Sequence, residues 1–138
     1  MTTQQITLKP DLAELATLAE QVERFGEQIG LETPLVFQLN LVLDELVTNA
    51  VNYGFARSNI ENPHITIEMR REGEQLTIEL RDNGTPFDPL QVPPPDLEAE
   101  LQDRQIGGLG LHFVHELMDT IDYQHQHGEN RLTLHKRL

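Results

Sequence analysis

The chain has 138 residues, the length of one ordinary domain with one sizeable core. Its 23 Asp and Glu against 10 Lys and Arg give a net charge of −13. That balance excludes a nucleic-acid binder working through a broad basic face and disfavours adsorption to anionic lipid. No cysteine is present, which removes disulfides, thiolate metal sites and thiol nucleophiles. The N-terminal stretch has neither a basic start nor an apolar run, and no segment nears the ~18 apolar residues of a membrane span, so a cytoplasmic location is expected.

Gln5 to Leu8 alternate as a short edge strand closed by Pro10. From Asp11, a plausible N-cap, the residues Leu12, Leu15, Leu18, Val22 and Phe25 recur at helical spacing. Gly26 and Gly30 leave the end of that helix open. Thr33-Pro34 opens a second helix in cap-then-proline order, predicted to run to about Tyr53 before Gly54 stops it. His64–Met69 and Leu76–Leu80 alternate around Glu72-Gly73-Glu74 and read as an antiparallel hairpin. Residues 82–105 hold Gly84, Pro86, Pro89 and Pro93-Pro94-Pro95, a loop long enough to be functional, with a helical turn expected around Leu97 to Leu101. Gly107-Gly108-Leu109-Gly110 leads into a third helix. Thr120–His127 and Arg131–Leu138 make a last hairpin about Gly128-Glu129-Asn130. This order predicts a single α+β domain over residues 1–138, a two-layer sandwich whose mixed, mostly antiparallel sheet is covered on one face by helices.

Three elements could carry chemistry. On the second helix Gln38, Glu45, Asn49 and Asn52 fall within roughly 60° of one another, at about 100° per residue. A carboxylate one turn before a carboxamide suits a hard cation, or a base beside one; an ordinary solvated polar face has the same pattern. Asp82-Asn83-Gly84 ends a strand, where the carboxylate can accept from an exocyclic amine such as adenine's; a strand-end turn reads the same way. Gly107-Gly108-Leu109-Gly110 at a helix entrance can bring backbone N–H groups to an anion, or simply cap the helix. No Gly-Lys-Ser/Thr follows, so it is not a Walker loop. His112 and His115, with His125, His127 and His135, match no zinc motif and read as surface or half-buried residues.

Taken in order, Glu45-Leu-Val-Thr-Asn49-Ala, Asp82-Asn-Gly84 and Gly108-Leu-Gly110 resemble the N box and glycine boxes of the GHKL ATPases, the fold of gyrase and histidine-kinase catalytic domains. The stretches from Asp44 to Gly54 and from Asp82 to Pro89 are similar to the stand-alone anti-sigma-factor serine/threonine kinases of bacteria. The resemblance implies a histidine-kinase-like ATPase fold and an Mg-ATP-dependent enzyme. It implies Glu45 as general base toward a protein serine or threonine hydroxyl, Asn49 as the Mg²⁺ ligand, and Asn49 and Asn52 among the ATP-binding residues. It implies Asp82 on the adenine amine with Gly84 leaving room for the base, and Gly108, Leu109 and Gly110 at the phosphates. Residues from about 88 to 106 become the ATP lid, with Arg104 as the lid arginine that would reach the γ-phosphate. Pro86-Phe87 stand where the family often has a second glycine. The implied partners are a STAS-type anti-sigma-factor antagonist as phosphate acceptor and a sigma factor that is sequestered; a homodimer is a further expectation. An alternative from another class is an ATP-binding partner-switching module without kinase activity.

Overall fold

The computed structural model describes residues 1–55, 59–91 and 108–138, with the backbone alone at 108–110. Strand β1 (Thr2–Leu8) comes first, and then a short 3₁₀ turn, Leu12–Glu14, leads into α1 (Leu15–Ile29). Asp11 caps the 3₁₀ turn, accepting from the Ala13 N–H at 2.9 Å. The two glycines of α1 have separate causes. Gly30 ends the helix in the left-handed region at φ 74°, and the Leu31 N–H closes back on the Gly26 carbonyl at 2.8 Å. Gly26 stays inside the helix because a Cβ there would lie 2.6 Å from Val36 Cγ2, so it sets how closely α1 approaches the next helix.

That helix, α2 (Thr33–Asn49), differs from expectation at both ends. Its cap is Glu32, extended at ψ 147° and without a side-chain bond, while Thr33 already lies inside the first turn with Pro34. A proline preset at φ near −65° can start the helix without a side-chain cap. At the other end Gly54 does not stop the helix. The path widens after Asn49 into a π-helical turn over Ala50–Phe55, which leaves Gly54 buried with its carbonyl accepting from the Thr85 N–H at 2.7 Å.

Strands β2 (Ile65–Glu72) and β3 (Gln75–Asp82) form the first hairpin, turned at Gly73 with φ 60°. After them come a 3₁₀ turn, Pro89–Gln91, then α3 (Gly108–Leu117), β4 (Thr120–Gln126) and β5 (Glu129–Arg137). The second hairpin turns one position earlier than expected: His127 and Gly128, at φ 55° and 75°, form the two-residue turn, and Asn130 is in the strand. Among the described residues five strands make one sheet in the order β1-β2-β3-β5-β4, and every pairing is antiparallel.

Register explains where the core and the site lie. Gln4, Met69, Ile78, Leu134 and Ile121 stand side by side across the sheet, and so do Ile6, Ile67, Leu80, Leu132 and Tyr123. These rows pack on Leu18, Val22 and Phe25 of α1, Leu39, Val42, Leu43, Leu46 and Val47 of α2, and Leu111 and Val114 of α3. The next row on the same face is Leu8, Ile65, Asp82, Asn130 and His125. The two ends of this face differ in chemistry: here it carries Asp82 and Asn130, whereas at the other end Arg71 and Lys136 donate to the Ile29 and Leu117 carbonyls at the helix ends. The opposite face is polar, with Glu79 between Arg81 at 3.2 Å and Arg131 at 3.9 Å. Among the described residues no helix is long and apolar enough to cross a membrane.

Candidate functional site

At the Asp82 end of the sheet a narrow recess, with a cavity volume of about 30 Å³, lies between α2 and strands β3 and β5. Leu46, Ile65, Leu80 and Leu132 give it an apolar floor, and Asn49, Asp82 and Asn130 supply polar groups at its edge. An apolar recess with a few convergent polar groups has the chemistry of a small-ligand site.

Asp82 ends β3 on the inward face. Its Oδ1 accepts from the Gly84 N–H at 2.9 Å and from Asn130 Nδ2 at 2.9 Å. Burial pushes its carboxyl above the usual range, against the downward pull of the Asn130 and Gly84 bonds. Gly84 is required by space. A Cβ there would meet the Gly54 carbonyl oxygen at 2.8 Å and Asp82 Oδ1 at 3.0 Å. Gly54 and Gly84 are thus two backbones in contact, stitched by the Thr85–Gly54 bond.

Glu45 and Asn49 lie one turn apart on α2. Asn49 Nδ2 donates to Glu45 Oε1 at 3.1 Å, and Asn49 is 3% exposed. Burial raises the Glu45 carboxyl, and the Asn49 bond partly offsets it. With the amide nitrogen committed to Glu45, Asn49 Oδ1 has no donor among the described residues. A carboxamide oxygen beside a carboxylate is a hard oxygen set, so these residues fit Mg²⁺. Neighbouring Asp44 is also raised by burial.

Asn52 does not join this group. The 100° step that aligned it with Glu45 holds only to Asn49; in the wider turn beyond, Asn52 is exposed and is not part of the recess lining. Asn83 points away as well, accepting from the His64 N–H at 2.9 Å and donating to the Asn62 carbonyl at 3.0 Å. Gly108, Leu109 and Gly110 form the first turn of α3. Arg104, Gly107, the turn expected at Leu97 to Leu101 and most of the lid lie outside the described residues; its start, Asp88, caps the Pro89–Gln91 turn through the Leu90 N–H at 2.8 Å. His112 pairs with Glu116 at 3.0 Å, and no group of three or more metal-ligating side chains occurs among the described residues.

Sequence reasoning missed three residues. Asn130, read as a turn residue, is 5% exposed and faces Asp82 across the β3–β5 pair. Tyr123 donates its hydroxyl to Asn130. Phe87, whose N–H donates to Asn130 Oδ1 at 3.1 Å, lines the recess and stacks on Tyr53 with centroids 5.0 Å apart. Hairpin phase was the available signal: a His-Gly turn puts Asn130 in register with Asp82.

The family model for the histidine kinase-like ATPase domain matches residues 8–136. A serine/threonine-protein kinase, BtrW of Bordetella bronchiseptica, is 33% identical over 128 residues, 90% of this chain and 89% of the relative. The serine-protein kinase RsbW of Listeria monocytogenes is 28% identical, covering 91% of this chain and 80% of its own. An anti-sigma F factor of Clostridium acetobutylicum is 22% identical over 84% of this chain and 79% of the relative. Among solved structures, the RsbU and RsbW domains of Rv1364c from Mycobacterium tuberculosis match with a TM-score of 0.70 at 19% identity. That match covers all of this chain and 33% of the other, and supports the fold.

Proposed function

The chain belongs to the histidine kinase-like ATPase domain family, and from that premise we propose that it is an Mg-ATP-dependent protein serine/threonine kinase of the anti-sigma-factor type. The observation that carries the proposal is the meeting, at one end of the sheet, of an apolar recess with Asp82 in its wall and the Glu45–Asn49 couple on α2. Kinase names among the relatives, at 89% and 80% coverage of their lengths, support the same reading.

In this proposal Asp82 accepts from the adenine amine, and Gly84 keeps the wall thin enough for the ring. The backbone of Gly108, Leu109 and Gly110 offers N–H groups at the start of α3 to the phosphates. Asn49 Oδ1, with Glu45 nearby, would hold the magnesium ion, which when bound neutralises phosphate charge. Glu45 takes the proton from the acceptor hydroxyl. The freed oxygen pair bonds to the γ-phosphorus as the bond to the bridging oxygen breaks, and that electron pair leaves with ADP. A carboxyl raised by burial is a stronger base than a solvated one, which suits this role. Arg104 toward the γ-phosphate remains part of the proposal.

The phosphate acceptor is proposed to be a STAS-type antagonist, and the sequestered partner a sigma factor. The anti-sigma F relative supports that class of partner. The test is transfer of label from γ-labelled ATP, with Mg²⁺, to candidate antagonists. Wild-type protein transfers label, and Glu45→Ala slows transfer by roughly 10²–10⁴-fold. Tight ATP binding with no labelled partner assigns the binding module without kinase activity.

A further inference from the structure

We infer that Asn130 is a positioning residue that makes the recess selective for a base carrying an exocyclic amine, and that it does so without touching the base. This rests on the nucleotide reading above and adds the specificity device. Asn130 has two amide hydrogens and one carbonyl oxygen with two lone pairs. Its Nδ2 donates to Asp82 Oδ1 at 2.9 Å and to the Thr85 carbonyl at 3.0 Å, with the Gly84 carbonyl further off at 3.4 Å. Its Oδ1 accepts from the Phe87 N–H and the Tyr123 hydroxyl. Every site is engaged inside the protein, so nothing is left for a ligand.

These bonds also fix the amide's orientation, because a flip would set the oxygen against three acceptors and the nitrogen against two donors. Asp82 Oδ1 is then saturated by Asn130 and the Gly84 N–H. Among the described residues no donor reaches Oδ2. One acceptor oxygen, held at a set angle in the slot wall, is what an amine-bearing ring edge requires. A ring edge that presents a carbonyl there meets a carboxylate and is rejected. The same residue ties the segment from Gly84 to Phe87 to the sheet, and through Tyr123 it links the slot to the edge strand β4.

The experiment compares binding of ATP with purine riboside triphosphate, which lacks the amine, by calorimetry on the full chain. Wild type favours ATP by roughly ten- to a hundredfold, as expected for a hydrogen bond to a charged group. Asn130→Asp puts an oxygen against Asp82 Oδ1 and collapses that preference to within a fewfold. The milder Tyr123→Phe, which removes one donor from Asn130, reduces it by about threefold and covers the case in which Asn130→Asp does not fold. In turnover, both variants raise KM for ATP with kcat nearly unchanged. A preference left at the wild-type value in Tyr123→Phe and in folded Asn130→Asp overturns the role of Asn130 alone. Failure of wild-type protein to bind ATP overturns the nucleotide reading and this inference with it.

Discussion

Gly84→Ala tests the close contact between the Gly54 and Gly84 backbones. The added methyl carbon would sit 2.8 Å from the Gly54 carbonyl oxygen, 3.0 Å from the Gly54 carbonyl carbon and 3.0 Å from Asp82 Oδ1. None of these is the free end of a flexible side chain. The Gly54 oxygen is held by the Thr85 N–H at 2.7 Å, and Asp82 is held by Gly84 and Asn130. The two backbones must part by a few tenths of an ångström, an overpacking cost of about 1–3 kcal/mol. Alanine recovers about 0.4–1 kcal/mol by narrowing the unfolded ensemble. The net loss is then about 1–2 kcal/mol, a fall in Tm of about 4–8 °C for a chain of this size. Urea unfolding gives the first number and a thermal scan the second, while ATP titration shows a second effect because Asp82 must move. Gly73→Ala is the control: it has open space and φ 60°, so it strains the β2–β3 turn at the opposite end of the sheet and leaves ATP binding intact. If Gly84→Ala stays within about 0.5 kcal/mol of wild type, the tight Gly54–Gly84 contact is refuted.

Three other outcomes are expected. Burial raises Asp44, Glu45 and Asp82, so each binds its proton more readily in the folded state. Their contribution favours folding below the ordinary carboxylate range and is lost as pH rises through the raised values. Glu45→Gln removes one such group, so urea midpoints fall less from pH 4 to 7 in the variant; parallel profiles would contradict this. Ile78→Ala, at a fully buried position in the central strand β3, costs about 2–5 kcal/mol in urea unfolding. Asn83→Ala loses the bonds to His64 and Asn62, about 1 kcal/mol each, yet leaves ATP affinity unchanged because the side chain faces away from the slot.

Periodicity carried most of the fold. Alternation announced β2 and β3, and the 3.6-residue repeat announced α1, because each element buries one face. What periodicity could not carry was geometry set by other parts of the chain. Gly26 and Gly30 left the helix end open until Val36 on the facing helix accounted for Gly26. Asn52 looked aligned with Glu45 because a uniform helix was assumed past Asn49. Gly54 and Gly84 are separated by thirty positions, and their mutual contact appears only once β3 docks beside the end of α2. Glu45, Asn49, Asp82 and Gly84 could be singled out only because their motifs come in a fixed order, since each alone reads equally as a polar face or a strand-end turn. Asn130 has none: its neighbours Gly128 and Glu129 make it resemble a turn, and only the hairpin register sets it opposite Asp82.

The row Leu8, Ile65, Asp82, Asn130 and His125 continues the inward face of the sheet, so the slot is the terminal layer of the core itself. In the proposed complex a ring entering beside Asp82 would rest on Leu46, Ile65, Leu80 and Leu132, which otherwise join the sheet to α2. In packing terms the ligand behaves as one more interior side chain. Its association then carries a negative heat-capacity change. Binding as proposed would also slow amide exchange along β3 and β5, two inner strands of the sheet, and not merely in the loops at the mouth.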